Sequence, residues 1–286
     1  MNAVIGNEME SGIRSRVPAD EYFSLPGLSI TRLKTIAKSP LHYKYELTHP
    51  RRTQPMTLGT AAHCAVLEPK LFDSRYAVWA RMSESGNQCP RRGQYWDTFL
   101  DENLGKMILN VEEYEFSRAI GKAVRGNATA MKYLEHGEPE VTMQHGDRRG
   151  RADWLTKIDG KPFVVGLKTA RDVRHFIFGS SAAKLGYALQ WAWYFDLYKS
   201  ITGTAPEMIE IVVENKPPHA VVVYIISEDI ILQGRDEYEK LLEVLAHCEA
   251  TGEWPGPAEC EQVLTLPSWY YGEQVDDLTS IGLDTE

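Results

Sequence analysis

Apolar residues recur along this chain with two periods, and the switches between them predict its elements. Ser29 or Thr31 can cap a helix running to about Lys38, with Ile30, Leu33, Ile36 and Ala37 on its inner face. After Ser39-Pro40 the pattern is ambiguous: an extended piece puts Leu41, Tyr43 and Tyr45 on one face, whereas a helix keeps Leu41 and Tyr45 together and turns Tyr43 away. Met56 to Pro69 reads as a small-residue helix ended near its proline. Residues 75–80 suggest a strand and residues 94–100 the start of a helix. A long amphipathic helix over 111–134 follows, with Ile120, Val124, Met131 and Leu134 at helical spacing and Gly126-Asn127 as a kink. The period then drops to two. Residues 140–143 form a strand, and Ala152, Trp154, Phe163, Val165 and Leu167 alternate on either side of an Asp159-Gly160 turn, which predicts a hairpin. Arg171 to Gly179 reads as a connector and Ser180 or Ser181 as the start of a helix ending near Ser200. Strands at 206–213 and 219–226 are split by Asn215-Lys216-Pro217-Pro218, and Ser227 caps a helix from Glu228 to about Ala250. This order predicts an α/β fold with a mixed central β-sheet flanked by helices.

Length and composition narrow the setting. With 286 residues and 43% hydrophobic content the chain can bury a full core, and no linker or repeat divides it. Residues 1–28 read as a flexible N-terminal arm, 29–252 as one domain and 253–286 as an acidic C-terminal tail, docked locally by Trp269, Tyr270 and Tyr271. The absence of an apolar spanning run or secretory leader predicts a cytoplasmic protein without a membrane partner. Cys64, Cys89, Cys248 and Cys260 are scattered without a CxxC pair, so neither a zinc ribbon nor an iron-sulfur cluster is expected. The net charge of −9 does not exclude a nucleic-acid partner. Residues 241–286 hold ten acids and no Lys or Arg, which leaves 31 basic and 30 acidic residues in the rest, including Arg51-Arg52, Arg91-Arg92 and Arg148-Arg149.

The hairpin carries the candidate chemistry. Asp153 lies in its first strand, and Lys168 closes its second. Hydrolysing a phosphodiester requires a nucleophilic water and neutralisation of charge on the phosphate; Mg²⁺ held by carboxylates supplies both. An acid two residues before Lys168 would share its strand face and oppose Asp153. That position is Gly166, which has no side-chain oxygen. His63 sits inside the small-residue helix, where a lone histidine is more often a core residue than a ligand. Gln190 and Tyr194, four apart, share a helix face that can equally serve packing.

Taken in order, Gly59-Thr60-Ala61-Ala62-His63 with Leu67-Glu68-Pro69, Gly150-Arg151-Ala152-Asp153, Gly166-Leu167-Lys168-Thr169 and Gln190-Trp191-Ala192-Trp193-Tyr194 resemble the motifs of the PD-(D/E)xK nuclease superfamily, and within it the RecE-like (exonuclease VIII type) exonucleases of phage recombination systems. The resemblance covers about residues 29–250 and implies a restriction-endonuclease-like fold. It implies metal binding by His63, Asp153 and the main-chain carbonyl of Leu167, and catalytic roles for Lys168, Gln190 and Tyr194. Glu140 is a further candidate, because some relatives place an acid on the strand before the metal hairpin; a solvated glutamate is the competing reading. Arg148, Arg149, Thr169, Arg171 and Arg174 are candidates for DNA contacts. The implied function is Mg²⁺-dependent exonucleolytic resection of linear double-stranded DNA, 5′-to-3′, with Mn²⁺ as an alternative metal. The implied partners are duplex ends, a RecT-type annealing protein and further copies of the chain in a ring. Gly166 is the departure from the pattern. Three explanations compete: deliberate inactivation, a natural pseudo-nuclease, or an acid supplied from elsewhere, such as Glu140. Inactivation is preferred on the sequence, because the other motif residues are intact and glycine is poor inside a strand. A catalytically dead DNA-binding module and a structure-selective endonuclease are the rival functions.

Overall fold

The computed structural model describes residues 11–49, 57–86 and 88–266. Arg51-Arg52 and the Trp269 to Tyr271 aromatics lie outside them. The elements run β1 (Gly12–Arg14), α1 (Ala19–Ser24), β2 (Leu28–Ser29), α2 (Ile30–Ile36), α3 (Pro40–Thr48), α4 (Thr57–Leu67), α5 (Phe72–Arg75), β3 (Tyr76–Val78), α6 (Gln94–Glu102), β4 (Met107–Leu109), α7 (Val111–Arg125), α8 (Ala128–Leu134), β5 (Glu138–His145), β6 (Arg148–Ile158), β7 (Lys161–Ala170), α9 (His175–Lys184), α10 (Tyr187–Thr202), β8 (Glu207–Glu214), β9 (Val221–Ile225) and α11 (Glu228–Thr251). They build a mixed parallel and antiparallel central sheet flanked by helices, a restriction-endonuclease-like fold. The main sheet has the order β1-β5-β6-β7-β8-β9, with β2 pairing parallel to β6; β3 and β4 form a separate parallel pair.

Side-chain alternation on the central strands assigns the two cores. Val164 on β7 and Met208 and Val212 on β8 face α2, α9, α10 and α11. Val165, Leu167, Ile209, Ile211 and Val213 face α4, α7 and α8. Because β7 and β8 are parallel, their connection crosses over through α9 and α10, which cover one face of the sheet. Gly166 and Glu210 are register partners in this pairing.

Local chemistry explains where the observed elements depart from the sequence pattern. The 111–134 helix is two helices, since the Asn127 side chain accepts from the Ala130 N–H at 3.0 Å and starts α8 afresh. The helix expected from Ser180 begins at His175 and breaks at Gly186, whose φ of +61° ends one helix and starts the next. The 41–45 ambiguity resolves as helix: Ser39 caps α3, Tyr43 is buried, and Leu41 and Tyr45 are exposed. Trp254 stacks on Tyr43 at 5.9 Å, and the Leu41 N–H donates to Pro255, which fastens the segment after α11 to α3. Ser227 begins α11 without a side-chain capping bond. Part of the stretch read as a flexible arm carries regular structure: β1 pairs antiparallel with β5, and α1 buries Tyr22. Polar composition concealed this, because a three-residue edge strand draws its stability from backbone pairing rather than from apolar side chains.

Candidate active site

The site forms where the sheet's ladders are interrupted. Hydrogen bonding between β6 and β7 runs from Ile158/Lys161 to Trp154/Val165 and stops. One residue further, Asp153 reaches across with its side chain, and Oδ2 accepts from the Leu167 N–H at 2.9 Å. On the other flank, Pro139/Trp154 and Val141/Ala152 are paired, but Glu140 between them has φ of +52°. A left-handed conformation costs a non-glycine residue about 1–2 kcal/mol, and strain of this kind concentrates at functional sites. His63 arrives from α4, which packs through Ala62 against Ile120 and Val124 of α7. Its Nδ1 lies 4.0 Å from Asp153 Oδ1. His63, Glu140 and Asp153 each offer a ligand atom, all within 4.8 Å of one another.

A second arrangement lies on the other side of Asp153. Lys168 Nζ is 3.6 Å from Asp153 Oδ2 and 3.6 Å from Glu210 Oε1. Glu210 stands on β8 with 1% exposure. Its Oε2 accepts from Trp191 Nε1 of α10 at 2.5 Å, whereas Oε1 has no hydrogen-bond partner among the described residues. A Cβ added at Gly166 would lie 2.5 Å from both Glu210 oxygens. The space beside residue 166 is therefore not vacant; a neighbouring strand fills it with a carboxylate.

Burial and charge set the protonation states. Burial lowers the His63 pKa against the opposing pull of Asp153, so the imidazole is neutral and has a lone pair to donate. Burial raises the Asp153 pKa, but the Lys168 charge and the Leu167 N–H hold the carboxyl below its ordinary range. Glu140 is pushed up to about 7, first by burial and then by the charge of Asp153, although Arg151 Nε lies 2.6 Å away. Burial lowers the Lys168 pKa, but Glu210 and Asp153 outweigh it and keep the ammonium protonated. Burial raises the Glu210 pKa despite Lys168 and Trp191. A neutral imidazole beside two carboxylates that repel one another is a donor set capable of holding a divalent cation.

Of the remaining predicted residues, Gln190 and Tyr194 line a small cavity together with Asp153, Gly166, Lys168 and Glu210. The Gln190 amide lies 3.5 Å from the Tyr194 hydroxyl, whose pKa burial raises. Gly150 admits the tyrosine: a Cβ there would lie 2.7 Å from the Tyr194 ring. Leu167 is buried with its backbone at the site, its N–H on Asp153 and its carbonyl 3.5 Å from Lys168 Nζ. The arginines separate. Arg149 is a correction, being 2% exposed, with its guanidinium donating to the Tyr22 carbonyl and facing that ring at 5.1 Å, so it is closed off from a phosphate. Arg148 lies over Trp193 and Tyr238, and Arg174 is paired with Asp172 at 2.6 Å. Thr169 and Arg171 are exposed at the end of β7.

Glu210 and its donor Trp191 were not assigned roles on the sequence. The signal for Glu210 was a single acid in the apolar run Met208-Ile209-Glu210-Ile211-Val212-Val213, since glutamate is almost never fully buried without a partner. Lys34 of α2 was also missed. It donates to the Leu185 carbonyl at 3.2 Å, and burial, followed by the charge of Lys168, lowers its pKa to about 8.

Fold and site together define a PD-(D/E)xK-like nuclease scaffold with a candidate metal-binding triad. Over residues 29–266 the chain matches the family described as a PDDEXK-like domain of unknown function (DUF3799), and it belongs to that family. No curated protein matches. Among solved structures, a "Putative exonuclease" from Eubacterium rectale superposes with a TM-score of 0.57 at 14% identity, covering 93% of this chain and 99% of that one; this likeness concerns the fold. The structure of SSO0001 aligns over 46% of this chain and 67% of its own at 18% identity, but its TM-score of 0.26 carries no argument. No helix among the described residues is long and apolar enough to cross a membrane.

Proposed function

We propose that this chain is a divalent-metal-dependent exodeoxyribonuclease acting on the ends of linear double-stranded DNA. The observation carrying this reading is the convergence of His63, Glu140 and Asp153 within 4.8 Å of one another, with the protonated Lys168 3.6 Å from Asp153. The resemblance to RecE-like exonucleases implies 5′-to-3′ polarity, a 3′ single-stranded product, a RecT-type annealing partner and a ring-shaped homo-oligomer, and the sequence leads us to expect a cytoplasmic setting. A closed ring would suit processive threading of the substrate.

His63, Asp153 and Glu140 would hold the cation, with the Leu167 carbonyl beside them. Bound Mg²⁺ supplies a nucleophile from water and neutralises charge on the phosphate. Lys168 remains an ammonium, so its part is to hold developing negative charge rather than to remove a proton. The Tyr194 hydroxyl remains protonated and, with the Gln190 amide, offers donors to the same cavity.

End-labelled linear duplex and covalently closed circular duplex, each incubated with the chain in Mg²⁺, test the reading. The expected result is loss of the linear form with 3′ tails left and the circle intact. Cleavage of the circle points to a structure-selective endonuclease. Duplex binding in Ca²⁺ without cleavage in Mg²⁺ points to a non-catalytic DNA-binding module.

A further inference from the structure

Residue 166 and Glu210 compete for one place. They are register partners on adjacent parallel strands and face the same side of the sheet as Lys168. The Glu210 oxygens lie 2.5 Å from the point where a Cβ at residue 166 would stand. From ordinary C–C and C=O lengths, an aspartate's own oxygens lie about 2.4 Å from its Cβ. Glycine here therefore leaves room for a carboxylate at the same distance as the one it lacks.

Two further observations bear on what that carboxylate does. Burying a glutamate at 1% exposure is costly, and a structural glutamate would be expected to have both oxygens bonded. Oε2 has the Trp191 indole, but Oε1 has no hydrogen bond among the described residues and only the longer ion pair with Lys168, and Glu210 lines the cavity shared with Asp153, Gln190 and Tyr194. Moreover, a cation already sits between the two acids: Lys168 Nζ is 3.6 Å from Asp153 Oδ2 and 3.6 Å from Glu210 Oε1. Two carboxylates flanking a single ammonium form a cradle that accepts positive charge.

We infer that Glu210 stands in for the acid that residue 166 lacks, delivered from β8 through the gap left by Gly166, and that it joins Asp153 and Glu140 as a third carboxylate acting on the divalent cation. The inference rests on the nuclease reading above and deepens it. Gly166 is then part of a working arrangement, and the explanation that an acid comes from elsewhere replaces deliberate inactivation, with β8 as its source and Glu140 of β5 beside it. A side chain added at residue 166 would displace this acid instead of restoring one.

The test compares the full chain with Glu210→Gln, Gly166→Asp, Lys168→Met and the Lys168→Met/Glu210→Gln double variant. Mn²⁺ affinity is measured by calorimetry without DNA, Mg²⁺-dependent hydrolysis of linear duplex is followed separately, and the Tm of each variant checks folding. Glu210→Gln retains the shape and an acceptor for Trp191, so loss of charge is the main change. It is expected to weaken Mn²⁺ binding at least tenfold and to slow hydrolysis at least 100-fold. The weakening of Mn²⁺ binding should persist in the Lys168→Met background, where no lysine remains to be positioned. Gly166→Asp alone is expected to lower the Tm and to leave hydrolysis no faster. Mn²⁺ affinity within twofold of the parent after Glu210→Gln, in either background, would overturn the inference, as would faster hydrolysis by Gly166→Asp. If the unmodified chain binds no Mn²⁺, the nuclease reading itself fails and the inference goes with it.

Discussion

Asp153 divides the site into two halves that handle charge in opposite ways. On the outer half, Glu140 and Asp153 face a neutral His63 and Arg151 reaches only Glu140; burial and the Asp153 charge outweigh it, and Glu140 holds its proton up to about pH 7. On the inner half, Glu210 and Asp153 share Lys168, and Glu210 is fully buried. The cation of the outer half thus serves one acid, whereas that of the inner half is shared by both. Removing a charge should therefore have opposite consequences in the two places: losing the acid Glu140 outside relieves the metal-free protein, whereas losing the shared Lys168 inside damages it.

The largest expected effect tests the inner half. Lys168→Met leaves Glu210 buried without its ammonium and should destabilise the chain by about 3–5 kcal/mol in chemical denaturation. Adding Glu210→Gln should recover most of that loss, because the stranded charge goes with its partner. A double variant no more stable than the single one would mean that the two residues are not coupled.

The outer half should respond with the other sign. The Glu140 pKa is raised on folding, so its favourable contribution is fully present below about pH 4.5 and is lost as pH rises through about 7. Glu140→Gln should therefore stabilise the metal-free protein at pH 8 by up to about 3 kcal/mol, less whatever Arg151 loses, and the gain should vanish near pH 4.5. Denaturation midpoints at the two pH values check this; equal differences at both would break the contrast. The smallest effect belongs to the rim: Arg171→Ala should change stability by less than about 0.5 kcal/mol and weaken duplex binding in Ca²⁺ by a few-fold at low salt. Competition binding at two salt concentrations reads it.

Which features were legible in the sequence follows from the range of the interactions involved. The hairpin was readable because alternation and the Asp159-Gly160 turn lie within twenty residues, and His63, Asp153 and Lys168 because their motifs are contiguous. The helix breaks at Asn127 and Gly186 were understated, since each depends on one residue's backbone conformation within an otherwise apolar period. Arg149 looked like a surface residue because nothing local announces that α1 will lie over it. Glu210 was the hardest to place. Its own strand identifies it as an anomalous acid, but its significance comes from Gly166, 44 residues earlier, and only the β7/β8 register puts the two side by side. A glycine that reads as a defect along the chain is, across the sheet, the space that another residue needs.

Because Asp153 belongs to both halves, it is where the account is most exposed. Mn²⁺ titrated calorimetrically into the unmodified chain and into Asp153→Asn is the most direct test. The account predicts binding to the unmodified chain, and its loss in the variant together with Mg²⁺-dependent hydrolysis. Undiminished Mn²⁺ binding by Asp153→Asn would contradict it.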